Sequence, residues 1–193
     1  MRSTRLMVPL LVLLLAVPAI AATVTVEGKD FPDTVTVEGK ALKRVGAGLR
    51  EKWMFNVYAM GAYSESGSCD TSAIIGKDEV KHLRLEMLRN VSGEKMGNTI
   101  GGSFREHMPA NASDQLKAQS ETFQGYFKDE CSKGSVLEFT YVPGTGTLLR
   151  QNGKSLGAPI PGSEFARILW DIYFGGNTCC KDLKKQILSG CGQ

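Results

Sequence analysis

Residues 53–63 and 80–88 alternate between two kinds of side chain, and a period of two belongs to a β-strand with two different faces. In the first stretch Trp53, Phe55, Val57 and Ala59 point one way, and Met54, Asn56, Tyr58 and Met60 the other. The first set reads as core. The second mixes Asn and Tyr with Met and suits the wall of a cleft. In the second stretch Leu83, Leu85 and Met87 alternate with His82, Arg84 and Glu86, which reads as a solvated face. VTVEGK at 24–29 recurs at 35–40, with Phe31, Pro32 and Asp33 between the copies. That is turn chemistry between two strands, so the copies are expected to pair. Residues 135–141 and 145–151 read as a hairpin across Pro143 and Gly144, and 153–160 as a further strand.

Helical patterns lie between and after these strands. Ser92 is a cap-like start, although Gly97, Gly101 and Gly102 each weaken the helix beyond it by up to ~1 kcal/mol against Ala. Residues 111–127 carry Ser113 as a candidate N-cap, with Leu116, Phe123 and Phe127 on one face. Phe165, Ile168, Leu169 and Ile172, then Leu183, Ile187 and Leu188, mark a closing helical pair. Strands, helices, strands, helices is the order of an α+β fold, an antiparallel sheet with its helices gathered on one side. The gap between such layers can hold a small apolar ligand.

Arg2 and Arg5 precede an apolar run over 6–17, followed by Pro18 and the small-x-small site Ala19, Ile20, Ala21. This is the pattern of a secretory signal. The expected organisation is a signal peptide over 1–21 and one domain over 22–193, exported to the periplasm. The run is too short to span ~30 Å of hydrocarbon, and no later stretch reads as a membrane helix. Without Arg2 and Arg5 the net charge of +3 falls to +1 (3 minus 2), which gives nucleic-acid binding no electrostatic support. The cysteines are Cys69, Cys131, Cys179, Cys180 and Cys191. A Cys180–Cys191 or Cys179–Cys191 disulfide would staple the last helix to the body. The spacing fits no Cys-x-x-Cys metal site, so no metal is expected.

Nucleophile elbow, zinc-protease and P-loop motifs are all missing from the sequence, and Gly97 to Gly102 is no dinucleotide fingerprint, so no cofactor is expected. His82 and His107 read as surface or helix-capping residues. Arg50 stands out, because it ends the Gly-rich stretch GAGLR just before an apolar strand. A guanidinium beside an apolar cleft can give two parallel charge-assisted bonds to a carboxylate or enolate. Tyr58, eight residues on, could add a donor. Spacing alone fits better a surface arginine paired with Glu51 or an acid elsewhere, and a tyrosine half-buried in the sheet.

GAGLR at 46–50, followed by FNVYAMGAY at 55–63, resembles the opening signature of the chalcone isomerase-like family: a Gly-x-Gly-x-Arg turn, then a strand of the form Phe-x-Val-Tyr-x-x-Gly-x-Tyr. LRNVSG at 88–93 is similar to that family's next segment, and WDIYFG at 170–175 with DLK at 182–184 to its closing helices. The resemblance implies an open-faced β-sandwich, a large antiparallel sheet with helices packed on one side and a ligand cleft between. The family includes isomerases that close a chalcone to a flavanone, fatty-acid binders, and non-catalytic members without an assigned role.

By this resemblance Arg50 matches the arginine that holds an oxyanion in the isomerases and a carboxylate in the binders. Tyr58 falls where the isomerases have Thr and the binders Tyr. Met96 falls at a catalytic Tyr, Ser103 at an Asn, and Ile172 with Tyr173 at a Thr or Ser followed by an apolar residue. The spacing from Arg50 to the strand is shorter than in the plant enzymes. Met96 and Ile172 donate nothing to a transition state, where each oriented donor is worth roughly 3 kcal/mol. They can line an acyl tunnel, which Met54 and Met60 would extend. The resemblance therefore implies a non-enzymatic binder of a fatty acid or similar small amphipathic acid through Arg50, Tyr58, Met96, Ser103, Ile172 and Tyr173. The alternatives are an intramolecular lyase of chalcone isomerase type and an interaction protein without a ligand.

Overall fold

The structure, a computed structural model, describes residues 22–178 and 180–192. The expected signal peptide and Cys179 lie outside the described residues.

Each VTVEGK copy folds on itself. Strands β1 (Thr23–Val26) and β2 (Lys29–Pro32) join at Glu27-Gly28, and β3 (Thr34–Val37) joins β4 (Lys40–Lys52) at Glu38-Gly39. The φ angles are 50° and 71° in the first turn, 49° and 74° in the second. A two-residue turn with both centres left-handed matches the twist of the strands it joins. This corrects the expectation that the copies pair with each other: each Glu-Gly closes a local hairpin first.

The strands that follow are β5 (Phe55–Ser64), β6 (Lys81–Met87), β7 (Val136–Val142), β8 (Gly146–Gln151) and β9 (Lys154–Ser155). Strands β3 to β9 form a seven-stranded sheet in chain order, every neighbouring pair antiparallel. Five helices accompany it: α1 (Thr71–Gly76), α2 (Gly93–His107), α3 (Asp114–Gln124), α4 (Ser163–Phe174) and α5 (Lys181–Ser189). The sheet curls and the helices pack to one side, the α+β open-faced arrangement expected. Ser92 and Ser113 cap α2 and α3, accepting from the Lys95 and Leu116 amides. Helix α1 carried no signal in the sequence reading.

The core lies between the sheet and α2 to α4. Tyr58, Met60 and Ala62 of β5, with Leu83, Leu85 and Met87 of β6, face a ring cluster in which Phe104 stacks on Phe165 at 4.6 Å. The face expected to be a cleft wall is core at Met60 and Ala62, and keeps its expected role only at Tyr58. Trp53, Met54 and Phe55 are 90%, 92% and 56% exposed. They form the hairpin tip between β4 and β5, where the alternation carries no burial.

Two titratable residues of β6, Lys81 and His82, are buried, the second against expectation. His82 lies between Tyr63 and Thr140, its cross-strand neighbours, and its Nδ1 is 2.9 Å from Thr140 Oγ1. It is not a surface residue: it is only 4% exposed, although Arg84 and Glu86 on the same face of β6 keep partial exposure. Lys81 points to the helical side, where its Nζ donates to the carbonyls of Ile74 and Ile75 at 3.2 and 2.9 Å and lies 5.1 Å from the Trp170 ring. The ammonium thus satisfies orphan carbonyls at the end of α1.

GAGLR is not a turn. It sits inside the 13-residue strand β4, and its glycines serve helix packing. A Cβ on Gly46 would lie 2.0 Å from the Ile187 carbonyl oxygen, and one on Gly48 2.9 Å from Gln186 Cβ. Helix α5 therefore rests directly on the β4 backbone, and Gln186 Oε1 accepts from the Leu49 amide at 2.8 Å. This course carries Cys191 to Cys69, with which it forms a disulfide spanning 122 residues. Both expected bridges, Cys180–Cys191 and Cys179–Cys191, are thereby corrected, since Cys191 is taken by Cys69. Cys180 and Cys191 flank the nine residues of α5, a rise of about 13 Å. A disulfide tolerates no more than about 7 Å between Cα atoms.

Candidate functional site

A β-bulge sets the geometry of the site. Lys52 faces Phe55 and Glu51 faces Asn56, but a register shift at Arg50/Glu51 places Tyr58 opposite Arg50. An unbroken ladder would have put Val57 there. Directly opposed residues hold their Cβ atoms about 5 Å apart on one face. Arg50 is half-buried, and its Nη1 donates to the Glu51 carbonyl oxygen. Tyr58 is buried.

Beside this pair a cavity of about 450 Å³ opens between the sheet end and the helices. Strands β4 and β5 and their tip contribute Arg50, Lys52, Trp53, Phe55, Val57 and Tyr58. The segment after β6 gives Arg89, Asn90 and Val91. Helix α2 gives Lys95, Met96, Thr99, Ile100 and Ser103, which recur at three- and four-residue intervals along one face. Ile172 and Tyr173 come from the last turn of α4, and Cys180 from the start of α5. Thr178 donates to the Ile172 carbonyl at 2.7 Å and fixes that helix end.

All six residues singled out in the sequence, Arg50, Tyr58, Met96, Ser103, Ile172 and Tyr173, line this one cavity. Met54 and Met60 do not. Met54 stands in solvent and Met60 is fully buried in the core. Arg50 also borders a second hollow formed with Glu51, Thr178, Lys181, Asp182 and Leu183.

The buried part of the lining combines Met96, Ile100 and Ile172 with the hydroxyl-bearing Tyr58, Ser103 and Tyr173, and the cations stand at the more exposed rim. Arg50, Lys52, Arg89 and Lys95 are all present, with no acidic side chain among the described lining residues. Such a site favours an anion. The Arg89 guanidinium lies 4.5 Å from the centre of the Phe55 ring, a cation–π contact that holds both at the entrance. Neither histidine lines the cavity. His107 instead closes the end of α2, its Nδ1 2.8 Å from the Ser103 carbonyl oxygen. Among the described residues no group of three or more His, Cys, Asp or Glu side chains is placed to hold a metal.

Residues 23–189 match the sequence profile of the chalcone isomerase-like family. The chain belongs to that family. Its fold is also similar to the crystal structure of a fatty-acid binding protein of Arabidopsis thaliana. The TM-score is 0.69 at 19% identity, over 86% of this chain and 96% of that one. None of the curated proteins matches it in sequence.

In this family member the sequence reading missed Lys52, Trp53, Phe55, Val57, Arg89, Asn90, Val91, Lys95, Thr99, Ile100 and Cys180 as cavity residues. Two signals were within reach. Thr99 and Ile100 sit three and four residues beyond Met96, so the expected helix placed them on the same face. Arg89 and Asn90 lie inside the LRNVSG segment already noted. Trp53 and Phe55 were out of reach, because their alternation assigned them to the core.

Proposed function

We propose that this protein is a non-catalytic binder of a fatty acid or similar small amphipathic acid. One observation carries the reading: a cavity of about 450 Å³ with apolar and hydroxyl-bearing walls and four rim cations. That volume lies within the ~300–1,000 Å³ range of small-molecule sites. In this reading Arg50 and Tyr58 hold the acid head, since a carboxylate can take charge-assisted bonds from a guanidinium and a hydroxyl. Met96, Ile100, Ile172 and Val57 surround the tail. The structural neighbour's description as a fatty-acid binding protein supports the same class.

The rival is an intramolecular lyase of chalcone isomerase type, with Arg50, Tyr58 and Ser103 as its polar groups. Met96 and Ile172 weaken it. Both stand in the cavity wall and offer no donor to a developing oxyanion, where each missing donor forgoes roughly 3 kcal/mol. Export belongs to the same proposal. The signal-like pattern over 1–21 and the Cys69–Cys191 disulfide both fit an oxidising compartment such as the periplasm.

Native mass spectrometry of protein purified from its own host tests the binding reading. It should show an added acyl mass that leaves on denaturation. Turnover of a chalcone above its solution rate, with no acyl mass present, would replace this reading with the enzymatic one.

A further inference from the structure

The β4–β5 tip carries more exposed apolar surface than its own fold requires. Of the four large apolar side chains exposed among the described residues, three are consecutive here: Trp53, Met54 and Phe55. Trp53 is also strained. It is the first residue of a two-residue connection and has φ +62°. Glycine usually takes that position, and a bulky side chain there is an outlier. The tight turns after β1, β3 and β8 use Glu-Gly, Glu-Gly and Asn-Gly, with glycine second. Strain of this kind clusters at functional sites.

Lys52, Arg89 and Lys95 stand on the same rim, and Trp53 and Phe55 themselves line the cavity. Glu51 and Glu94 are neighbours in sequence but do not line it. We propose that this tip docks on a bilayer surface bearing anionic headgroups. Trp53, Met54 and Phe55 would enter the headgroup region while the rim cations meet the phosphates. Tryptophan and basic side chains favour that depth. The occupant is lipid rather than protein because three side chains on one turn make a narrow patch, whereas a stable protein interface buries on the order of 1,000 Å² or more. Docking turns the cavity entrance toward the bilayer, so an amphipathic molecule could pass between them without crossing water. The docking itself does not depend on the acid-binding reading, since protein with an empty cavity would dock equally.

Cosedimentation of the purified protein with phosphatidylcholine vesicles, with and without phosphatidylglycerol, tests this. The protein should pellet with the anionic vesicles, and more weakly in high salt. Because Trp170 is already buried, a blue shift of tryptophan emission on adding vesicles reports Trp53. Met54→Asp alters a side chain that neither packs in the core nor lines the cavity, and should weaken vesicle binding about tenfold or more with the fold intact. Trp53→Gly removes the strain and should melt no lower than wild type while binding vesicles as poorly. Wild type remaining in the supernatant overturns the proposal. So does Met54→Asp binding as wild type does, or a Met54-dependent dimer that ignores vesicles.

Discussion

His82 is neutral in the folded protein, because burial and the nearby charges of Arg84 and Arg150 hold its imidazole down at about 4. Glu138 stands 3.9 Å from Nε2, beyond hydrogen-bonding distance. An unfolded chain protonates this ring near its ordinary 6.5, so below that pH the unfolded state binds the extra proton. The stability His82 confers is therefore complete above about 6.5 and is lost as pH falls toward 4. The loss should approach roughly 3 kcal/mol. Urea denaturation at pH 7 and pH 4.5 measures it, and His82→Gln should flatten the difference by that amount. Alternation along β6 located His82 opposite Leu83 and Leu85, which the structure bears out. It could not reveal that Tyr63 and Thr140 close over the ring. Arg50 and Tyr58 were legible as a pair through the family motif. What spacing withheld was the bulge, without which Arg50 would face Val57.

Glycines that look like weaknesses in a helix or a strand are contact points here. A Cβ on Gly97 would lie 2.9 Å from the Gln124 carbonyl oxygen, whereas one on Gly102 would meet only Arg105 Nη2 at 3.9 Å. Gly102→Ala should therefore raise stability by up to about 1 kcal/mol through helix propensity. Gly97→Ala should lose that gain and destabilise by about 1 kcal/mol or more, because it forces α2 and α3 apart. Equilibrium denaturation of the two variants separates packing from propensity. Element type was readable from pattern alone for α2 to α5, since Ser92 and Ser113 announce their helices and apolar spacing does the rest. Contacts between elements were not. GAGLR read as a turn because its glycines are indistinguishable in sequence from flexible ones, while their use is to seat α5 on β4. The Glu-Gly dipeptides were visible hairpin signals, but the repeat drew the pairing outward to the wrong partner.

Taken whole, the molecule is a curled sheet whose last helix, α5, is tied at its C-terminal end to the segment before α1 by Cys69–Cys191. A loop of this length restricts the unfolded chain strongly, so reduction should lower stability by about 2–4 kcal/mol. Cys69→Ser should show the same loss, and a reductant should then have no further effect. The sequence already held grounds against bridging Cys180 to Cys191, because the helix expected between them keeps its ends too far apart. It held none for choosing Cys69, which depends on where α5 comes to rest. The layered fold followed from element order, and the cavity from the gap between the layers. Its cationic rim emerged only when Lys52, Arg89 and Lys95 were brought together from three separate segments. Whether that charge grips an acid is best read by titrating a long-chain fatty acid and its methyl ester into wild type and Arg50→Ala. Wild type should prefer the acid, and the variant should bind the acid at least about tenfold more weakly, near 1.4 kcal/mol, with the ester unchanged. Equal affinity of wild type and variant for the acid would contradict the account.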